Sequence, residues 1–208
     1  MRKIILFIIL SLTLVGCSQK NTKEENARML IQSLYEVNDY NKYEAMIERA
    51  ANYKENTPEE IMQPYIEEYK KYTTEECLDS IFAQGLATYF DSIAYENKVH
   101  IEIQDIELDE YANEESNYYY NYTVRLKVIS DEKSVITEGS GKIDLIKELN
   151  DNYKVSYIKK LSNGKIKKAI EEMWIYLHVK ELQEIYDEKE ANNIKDGLIE
   201  CFKKSKIV

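Results

Sequence analysis

Apolar residues in the first half of the chain recur at intervals of three and four residues, the spacing of amphipathic helices. The pattern runs from Asn26 to Ala51, with a break near Asn38–Asn41. A helix is expected to start at Thr57–Glu60, because an N-cap Thr followed by Pro and then Glu three positions on can form a capping box. Thr73–Glu76 repeats this signal, and Gly85 is expected to end that helix. The apolar positions are Leu30, Leu34, Val37, Tyr43, Met46, Ile47, Ala50, Ile61, Tyr65, Tyr69, Cys77, Leu78, Ile81, Phe82, Tyr89, Phe90 and Ile93.

The spacing changes to two residues at Val99, which predicts β-strands. The alternation resumes one residue out of step at Ile106, so a β-bulge is expected near Gln104–Asp105. Short polar turns separate the runs, and strands joined in this way form an antiparallel meander. The three further alternating runs are Tyr118–Val128, Val135–Lys147 and Tyr153–Tyr157, with turns at Ser130–Lys133 and Asn150–Asn152.

The tail returns to helical spacing and carries an apolar stripe. A polar break at Glu190–Asn193 separates a long helix from a second one. A stripe of this size must be buried on the domain itself or on a partner or second copy, and intrachain docking is favoured by its higher effective concentration. The stripe comprises Ile166, Ile170, Met173, Trp174, Leu177, Ile185 and Tyr186, and then Ile194, Leu198, Ile199 and Phe202.

The N-terminus has the pattern of a secretion signal. Arg2 and Lys3 precede the apolar run Ile4–Val15. As a helix this run reaches only about 18 Å, well short of the ~30 Å hydrocarbon core of a bilayer. The stretch Leu14-Val15-Gly16-Cys17 resembles the lipobox of bacterial lipoproteins.

The lipobox resemblance implies that a diacylglyceryl group is attached to the Cys17 sulfur and that the chain is cleaved before Cys17. Two acyl chains give a stable anchor, so the protein is expected at the cell membrane on its extracytoplasmic face. The alternatives are an ordinary secretion signal or an uncleaved anchor. The predicted organisation is a signal peptide at 1–16, a tether at 17–25, a domain at 26–160 and a helical extension at 161–208.

The composition narrows the class of protein further. The chain has 38 acidic and 28 basic residues, and the acidic excess lies before Lys159. Phosphate binding needs basic patches, so nucleic acid is not an expected partner. Only two Pro and six Gly are present, against 18 Tyr, which argues against disorder and against a turn-dense sandwich.

The element order predicts an α+β fold, with N-terminal helices packed on a curved four-stranded antiparallel sheet and a C-terminal helical extension. This order and the bulge at Gln104–Asp105 resemble the nuclear transport factor two-like family, whose fold is a cystatin-like cone of sheet around helices. The resemblance covers Asn26–Lys160. The helices of Gly164–Ile207 depart from the family pattern, which leaves open whether they close the cone.

Neither histidine is placed to bind a metal. His100 alternates onto the polar face of its strand and is expected to be solvated, whereas His178 lies beside Trp174 on the tail helix. The stretch Gly139–Lys142 lacks the first Gly of a phosphate-binding loop, where Ile136 stands, so its glycines are expected to permit a bend in the sheet. No metal site and no cofactor is predicted.

Family members that are isomerases or dehydratases place Asp, His or Tyr inside the cone. Tyr89, Asp91, Tyr120 and Tyr122 are the corresponding candidates here, although Tyr at core positions explains them equally well. No acid and base pair with a defined spacing can be named, so no enzyme is predicted. The pair Cys77/Cys201 is read as two buried free thiols, the alternative being a disulfide.

The leading hypothesis is therefore a non-catalytic binding or interaction module anchored through Cys17. Its ligand is unassigned, and a protein partner would contact the C-terminal helices. One alternative is a small-molecule enzyme of the cone fold. Another is an accessory subunit of a cell-envelope or secretion assembly.

Overall fold

The computed structural model describes residues 23–131, 133–149, 152–162, 164–185, 192–194 and 196–197. The signal segment, Cys17, Cys201, Tyr186 and most of the second predicted tail helix lie outside these residues. The described chain is α+β, with five helices followed by a four-stranded antiparallel sheet, as the hydrophobic spacing predicts.

Two of the five helices that precede the sheet begin at the capping residues predicted from the sequence. Thr57 caps its helix with a complete capping box with Glu60, and Thr74 accepts a hydrogen bond from the Cys77 amide. Gly85 has a φ of +65°, a left-handed conformation that favours glycine, and it follows the end of the fourth helix. The helices are α1 Lys23–Tyr35, α2 Asn41–Ala51, α3 Pro58–Tyr69, α4 Glu75–Ala83 and α5 Tyr89–Asn97.

The sheet is a meander in which neighbouring strands follow one another along the chain. The pairing of β1 and β2 shifts between Ile103 and Asp105, which confirms the predicted bulge. Shifts between Glu110 and Ala112, and between Asp144 and Leu145, were not predicted. The strands are β1 His100–Glu114, β2 Asn117–Ile129, β3 Ser134–Lys147 and β4 Tyr153–Ser162.

The sheet has two ends that differ in what surrounds them. The hairpin end consists of the β1–β2 turn, Glu114–Asn117, and the start of the β3–β4 connection, Lys147–Leu149, which are joined by the hydrogen bond from the Lys147 amide to the Ser116 carbonyl. The opposite end consists of the β2–β3 turn, at Ser130, and of His100 at the start of β1, which pairs with Ile129. We name it the groove end, because a groove between two helices lies near it.

The core lies between one face of the sheet and the helices. The alternating residues of β2 that were predicted to face inward are buried there, from Tyr120 to Val128. Tyrosine supplies much of the packing, since five of the largest fully buried side chains are tyrosines: Tyr35, Tyr65, Tyr69, Tyr120 and Tyr122.

A sixth helix, α6 (Gly164–Ile185), packs on β3. Ile166, Ala169, Ile170 and Met173 are buried, and the Ser130 hydroxyl lies 3.2 Å from the Met173 sulfur. The first half of the predicted apolar stripe is thus buried within the chain itself. Within the described ranges, no helix combines the length and the apolar character needed to cross a bilayer.

The two glycines of Gly139–Lys142 lie inside β3, and close packing explains both. A Cβ on Gly141 would lie 2.2 Å from the Lys159 carbonyl oxygen and 2.4 Å from the Tyr122 ring. A Cβ on Gly139 would meet the flexible end of Ile166 at 2.8 Å. Because a backbone carbonyl cannot move aside as a side-chain methyl group can, Gly141 is the more tightly constrained of the two positions.

Gly141→Ala is expected to lower the free energy of unfolding by about 3 kcal/mol or more, because it forces β3 away from β4 and displaces the buried Tyr122 ring. Gly139→Ala is the matched control and is expected to cost about 1 kcal/mol, since the Ile166 methyl group can shift. Urea unfolding of both variants measures the difference. Equal costs would contradict this explanation of Gly141.

Candidate functional site

Among the described residues, the space between the helices and the sheet is closely packed around the Tyr35 and Tyr122 side chains. The small void detected there is about 10 Å³, room for one water at most. The Tyr35 and Tyr122 hydroxyls are 3.0 Å apart and form a hydrogen bond across it. Burial raises the pKa of Tyr122 to about 12 and the pKa of Tyr35 further, so neither hydroxyl acts as a base near neutral pH. The lining residues are Leu34, Tyr35, Leu86, Phe90, Tyr122 and Ile158.

Tyr120 lies in a separate cluster near the hairpin end. Its hydroxyl donates to Glu110 at 2.7 Å, and the Lys23 ammonium bonds the same carboxylate. Hydrogen bonds from Lys23, Asn113 and Tyr120 hold the pKa of Glu110 at about 2, despite an opposing desolvation effect. The Lys23 ammonium also lies 4.3 Å from the centre of the Tyr118 ring. This cluster fastens the start of α1 to the sheet.

Asp91 belongs to a third group, which is formed by helices alone. Its side chain, on α5, is buried, with the residue only 4% exposed. The Lys42 ammonium, on α2, lies 2.8 Å from the Glu68 carboxylate and 3.8 Å from that of Asp91. The same ammonium lies over the rings of Tyr65 and Tyr69, at 4.7 and 5.7 Å from their centres.

Burial raises the pKa of Asp91 to about 6, although the Lys42 charge opposes this and the Glu68 charge adds to it. One ammonium thus serves two carboxylates, and Asp91 is the more distant and more buried of the two. Burial and the nearby Asp91 charge also raise the pKa of Tyr65. The group joins α2, α3 and α5, and its charges therefore bear on the stability of the packed helices.

A groove between α5 and α6 is the candidate ligand site. Its volume is about 470 Å³, within the range of small-molecule sites. Apolar and aromatic side chains from both helices form its walls, and Asn97, Lys167 and Glu171 add polar groups. The walls are formed by Tyr89, Ile93, Ile170 and Trp174.

One end of the groove, at Asn97 and Trp174, lies near the groove end of the sheet. α5 ends at Asn97, just before β1 begins at His100. On the other wall, Met173 precedes Trp174 and contacts Ser130 in the β2–β3 turn. Trp174 stacks on His178 with ring centres 3.9 Å apart, and the His178 Nδ1 lies 2.9 Å from the Trp174 carbonyl oxygen. The expectation that His178 lies beside Trp174 is confirmed.

The prediction that His100 is a solvated surface residue is wrong. Its ring is half-buried and stacks on Tyr40, with centres 5.3 Å apart and planes 8° from parallel. Its Nδ1 atom is buried and has no hydrogen-bond partner among the described residues. The alternation assigned His100 to a face of the strand, but the α1–α2 connection, in which Val37 pairs with Ile101, covers this part of β1.

The four candidates from the sequence do not share one cavity. Tyr89 lines the groove, Asp91 joins three helices, Tyr120 binds Glu110, and Tyr122 borders the small interior void. Sequence reasoning identified Tyr89 but did not pair it with Trp174. Helical spacing was the one available signal, and it predicted both helices. It could not pair Tyr89 with Trp174, because it carries no information on which helices become neighbours.

Within the described residues, no three His, Cys, Asp or Glu side chains converge as a metal site requires. Cys77 is a buried free thiol, and burial raises its pKa to about 12; its predicted counterpart Cys201 lies outside the described part of the chain. No protein-family model matches the chain, and a search of curated proteins finds no match.

Proposed function

We propose that this protein is a lipid-anchored, non-catalytic binding module on the extracytoplasmic face of a membrane. Cys17 carries the lipid, and the groove between α5 and α6 holds the ligand. The domain is a nuclear transport factor two-like cone, with a curved sheet and a C-terminal helical extension whose first helix forms one wall of the ligand site.

The observation that carries this proposal is the difference in volume between the interior void and the groove between α5 and α6. The described interior void beside Tyr35 and Tyr122, where an enzyme of the cone fold would hold its substrate, has room for no more than one water, while the groove measures about 470 Å³. The interior hydroxyls of Tyr35 and Tyr122 bind each other. The one buried carboxylate with a strongly raised pKa among these candidates, Asp91, shares α5 with the wall residues Tyr89 and Ile93, but it does not line the groove and it faces Lys42. These facts favour binding over catalysis.

The groove suits a ligand with an apolar body and polar ends. Ile93 and Ile170 supply aliphatic surface, and the Tyr89 and Trp174 rings supply aromatic surface. Lys167 and Asn97 provide hydrogen-bond donors near the walls. A side chain cluster of a partner protein has this character, as does a small amphipathic molecule.

Because the chain contains one Trp, the fluorescence of Trp174 reports directly on the groove. The amphipathic dye 1-anilinonaphthalene-8-sulfonate, which has aromatic rings and one sulfonate, is expected to bind there and to receive excitation energy from Trp174. Ile93→Gln, which places an amide in the apolar wall, is expected to weaken dye binding about tenfold or more. Titration of the dye against the unlipidated protein measures both effects.

Ile136→Gln is the matched control, because Ile136 is an exposed isoleucine outside the groove. Its dye affinity is expected to equal that of the original protein. Melting curves of both variants verify that they are folded. If Ile93→Gln is folded and binds dye as before, the groove is not the apolar site and the proposed function fails.

Cys17→Ala is expected to abolish membrane attachment, because two acyl chains provide the stable anchor. Cells grown with a labelled fatty acid should label the original chain and not the variant. Fractionation should then recover the variant in the soluble fraction. An equally membrane-bound variant would show that Cys17 is not the point of attachment.

A further inference from the structure

We infer that the hairpin end of the sheet faces the bilayer and that the α5–α6 groove opens away from it, toward ligands in the aqueous phase. The inference rests on the lipid anchor proposed above. It follows from where α1 begins, how long the tether is and how the sheet is laid out.

The described chain begins at the hairpin end. Lys23, the first residue of α1, bonds Glu110 and lies over the Tyr118 ring. Tyr118 is the second residue of β2, and Glu110 pairs with Tyr120. The point where the tether enters the domain is therefore about 10 Å from the β1–β2 turn, counting three residues at ~3.3 Å each.

The tether is too short to allow the inverted arrangement. From Cys17 to Lys23 the chain has six residue steps, which span at most about 21 Å at ~3.5 Å per step whatever their conformation. From Tyr120 to Ile129, at the groove end, β2 extends about 30 Å. If the groove end touched the bilayer, Lys23 would be held farther away than its tether reaches.

The surface of the hairpin end is consistent with contact with a neutral lipid surface. Leu149 is 88% exposed there, the largest exposure of a large apolar side chain in the described chain, and Ile146 lies beside it. The carboxylates of Glu114, Glu115 and Glu148 outnumber the ammonium of Lys147. Anionic headgroups are therefore expected to repel this end, while zwitterionic lipid accepts Leu149.

This orientation narrows the class of ligand. The groove end is about 40 Å from the hairpin end along β2, so groove residues such as Trp174 lie beyond the headgroups. A lipid in the bilayer cannot reach Trp174 without leaving the membrane. The ligand is thus a soluble molecule or the exposed side chains of another extracytoplasmic protein.

Energy transfer to the bilayer tests the orientation in the lipidated full-length chain. Ser116→Cys and Asp131→Cys, each with Cys201→Ser, place a donor dye at the hairpin end or at the groove end and leave Leu149 intact; Cys77 is buried and remains unlabelled. The protein is reconstituted in phosphatidylcholine vesicles with an acceptor on the headgroups. Transfer is expected to be several-fold greater from position 116 than from position 131.

The outcomes separate the orientation from the anchor. Equal transfer from the two positions on vesicle-bound protein means that the domain lies flat, and greater transfer from position 131 means that it is inverted; either result overturns the orientation alone. If the unmodified chain does not associate with vesicles any better than Cys17→Ala, the lipid anchor fails and the orientation fails with it.

Discussion

A chain that ends at Ser162, and so lacks α6, is expected to melt on the order of 10 °C below the full domain. Ile166, Ile170 and Met173 are all buried against the sheet, and burial of each large side chain stabilises by about 1.5–3 kcal/mol. The cost of ordering the helix offsets part of this sum. A net loss of a few kcal/mol is a large part of the typical free energy of unfolding. For a domain of this size, such a loss lowers the melting temperature on the order of 10 °C.

The same truncation uncovers apolar surface on the domain. Gly139 lies under Ile166, beside Tyr35 and Val124, and these side chains would become accessible to water. Dye fluorescence at low temperature is therefore expected to rise, even though one wall of the groove has been removed. This increase distinguishes exposed core from binding in the groove.

A chain that ends at Ile185 is the matched control. It keeps Ile166, Ile170 and Met173 and removes only residues 186–208, so the difference in melting temperature between the two truncations measures what α6 contributes. Thermal unfolding followed by circular dichroism compares the two truncations. If the chain ending at Ser162 melts as high as the control, α6 is not part of the core.

Features set by neighbouring residues were predictable from the sequence. The capping box of Thr57 and Glu60 depends on two residues three positions apart. The left-handed backbone conformation of Gly85 depends only on the absence of a side chain at that residue. The bulge after Ile103 was predictable because a one-residue slip moves every following side chain to the other face. Element order followed from these signals and from hydrophobic spacing.

Features that need distant elements to meet were not predictable in this way. The groove joins Ile93 to Ile170, which are far apart in sequence, and nothing in the spacing of either helix names the other as its neighbour. The spacing placed Asp91 among the candidates, but Lys42 and Glu68, which determine its environment, come from two other helices. For the same reason, His100 was assigned to solvent although the α1–α2 connection covers it.

Asp91→Asn is expected to stabilise the protein by about 2–3 kcal/mol at pH 8. Burial raises the pKa of Asp91 from 3.8 to about 6, so the folded state holds this carboxylate's proton more tightly than the unfolded state does. Each pKa unit corresponds to about 1.4 kcal/mol. Above pH 6 the folded protein bears the cost of an ionised, buried carboxylate, and the amide removes this cost while Lys42 keeps Glu68 as its partner.

The sign of the effect fixes its dependence on pH. As the pH falls through 6, Asp91 takes up a proton in the folded state and the cost of burying its charge disappears, so that below about pH 4 the variant and the original chain should be equally stable. Urea unfolding at pH 4, 6 and 8 measures the difference. Asp79→Asn, on the exposed side of α4, is the control and is expected to change stability by less than about 0.5 kcal/mol.

Glu68→Gln tests whether the three charges act together. The Glu68 charge contributes to the raised pKa of Asp91, and its removal leaves the Lys42 ammonium to Asp91 alone, at 3.8 Å. In the Glu68→Gln background, the ionised Asp91 is better compensated, so the gain from Asp91→Asn at pH 8 should shrink or change sign. The double-mutant cycle measures this coupling directly. An unchanged gain would mean that desolvation alone, and not the shared ammonium, sets the cost of ionised Asp91.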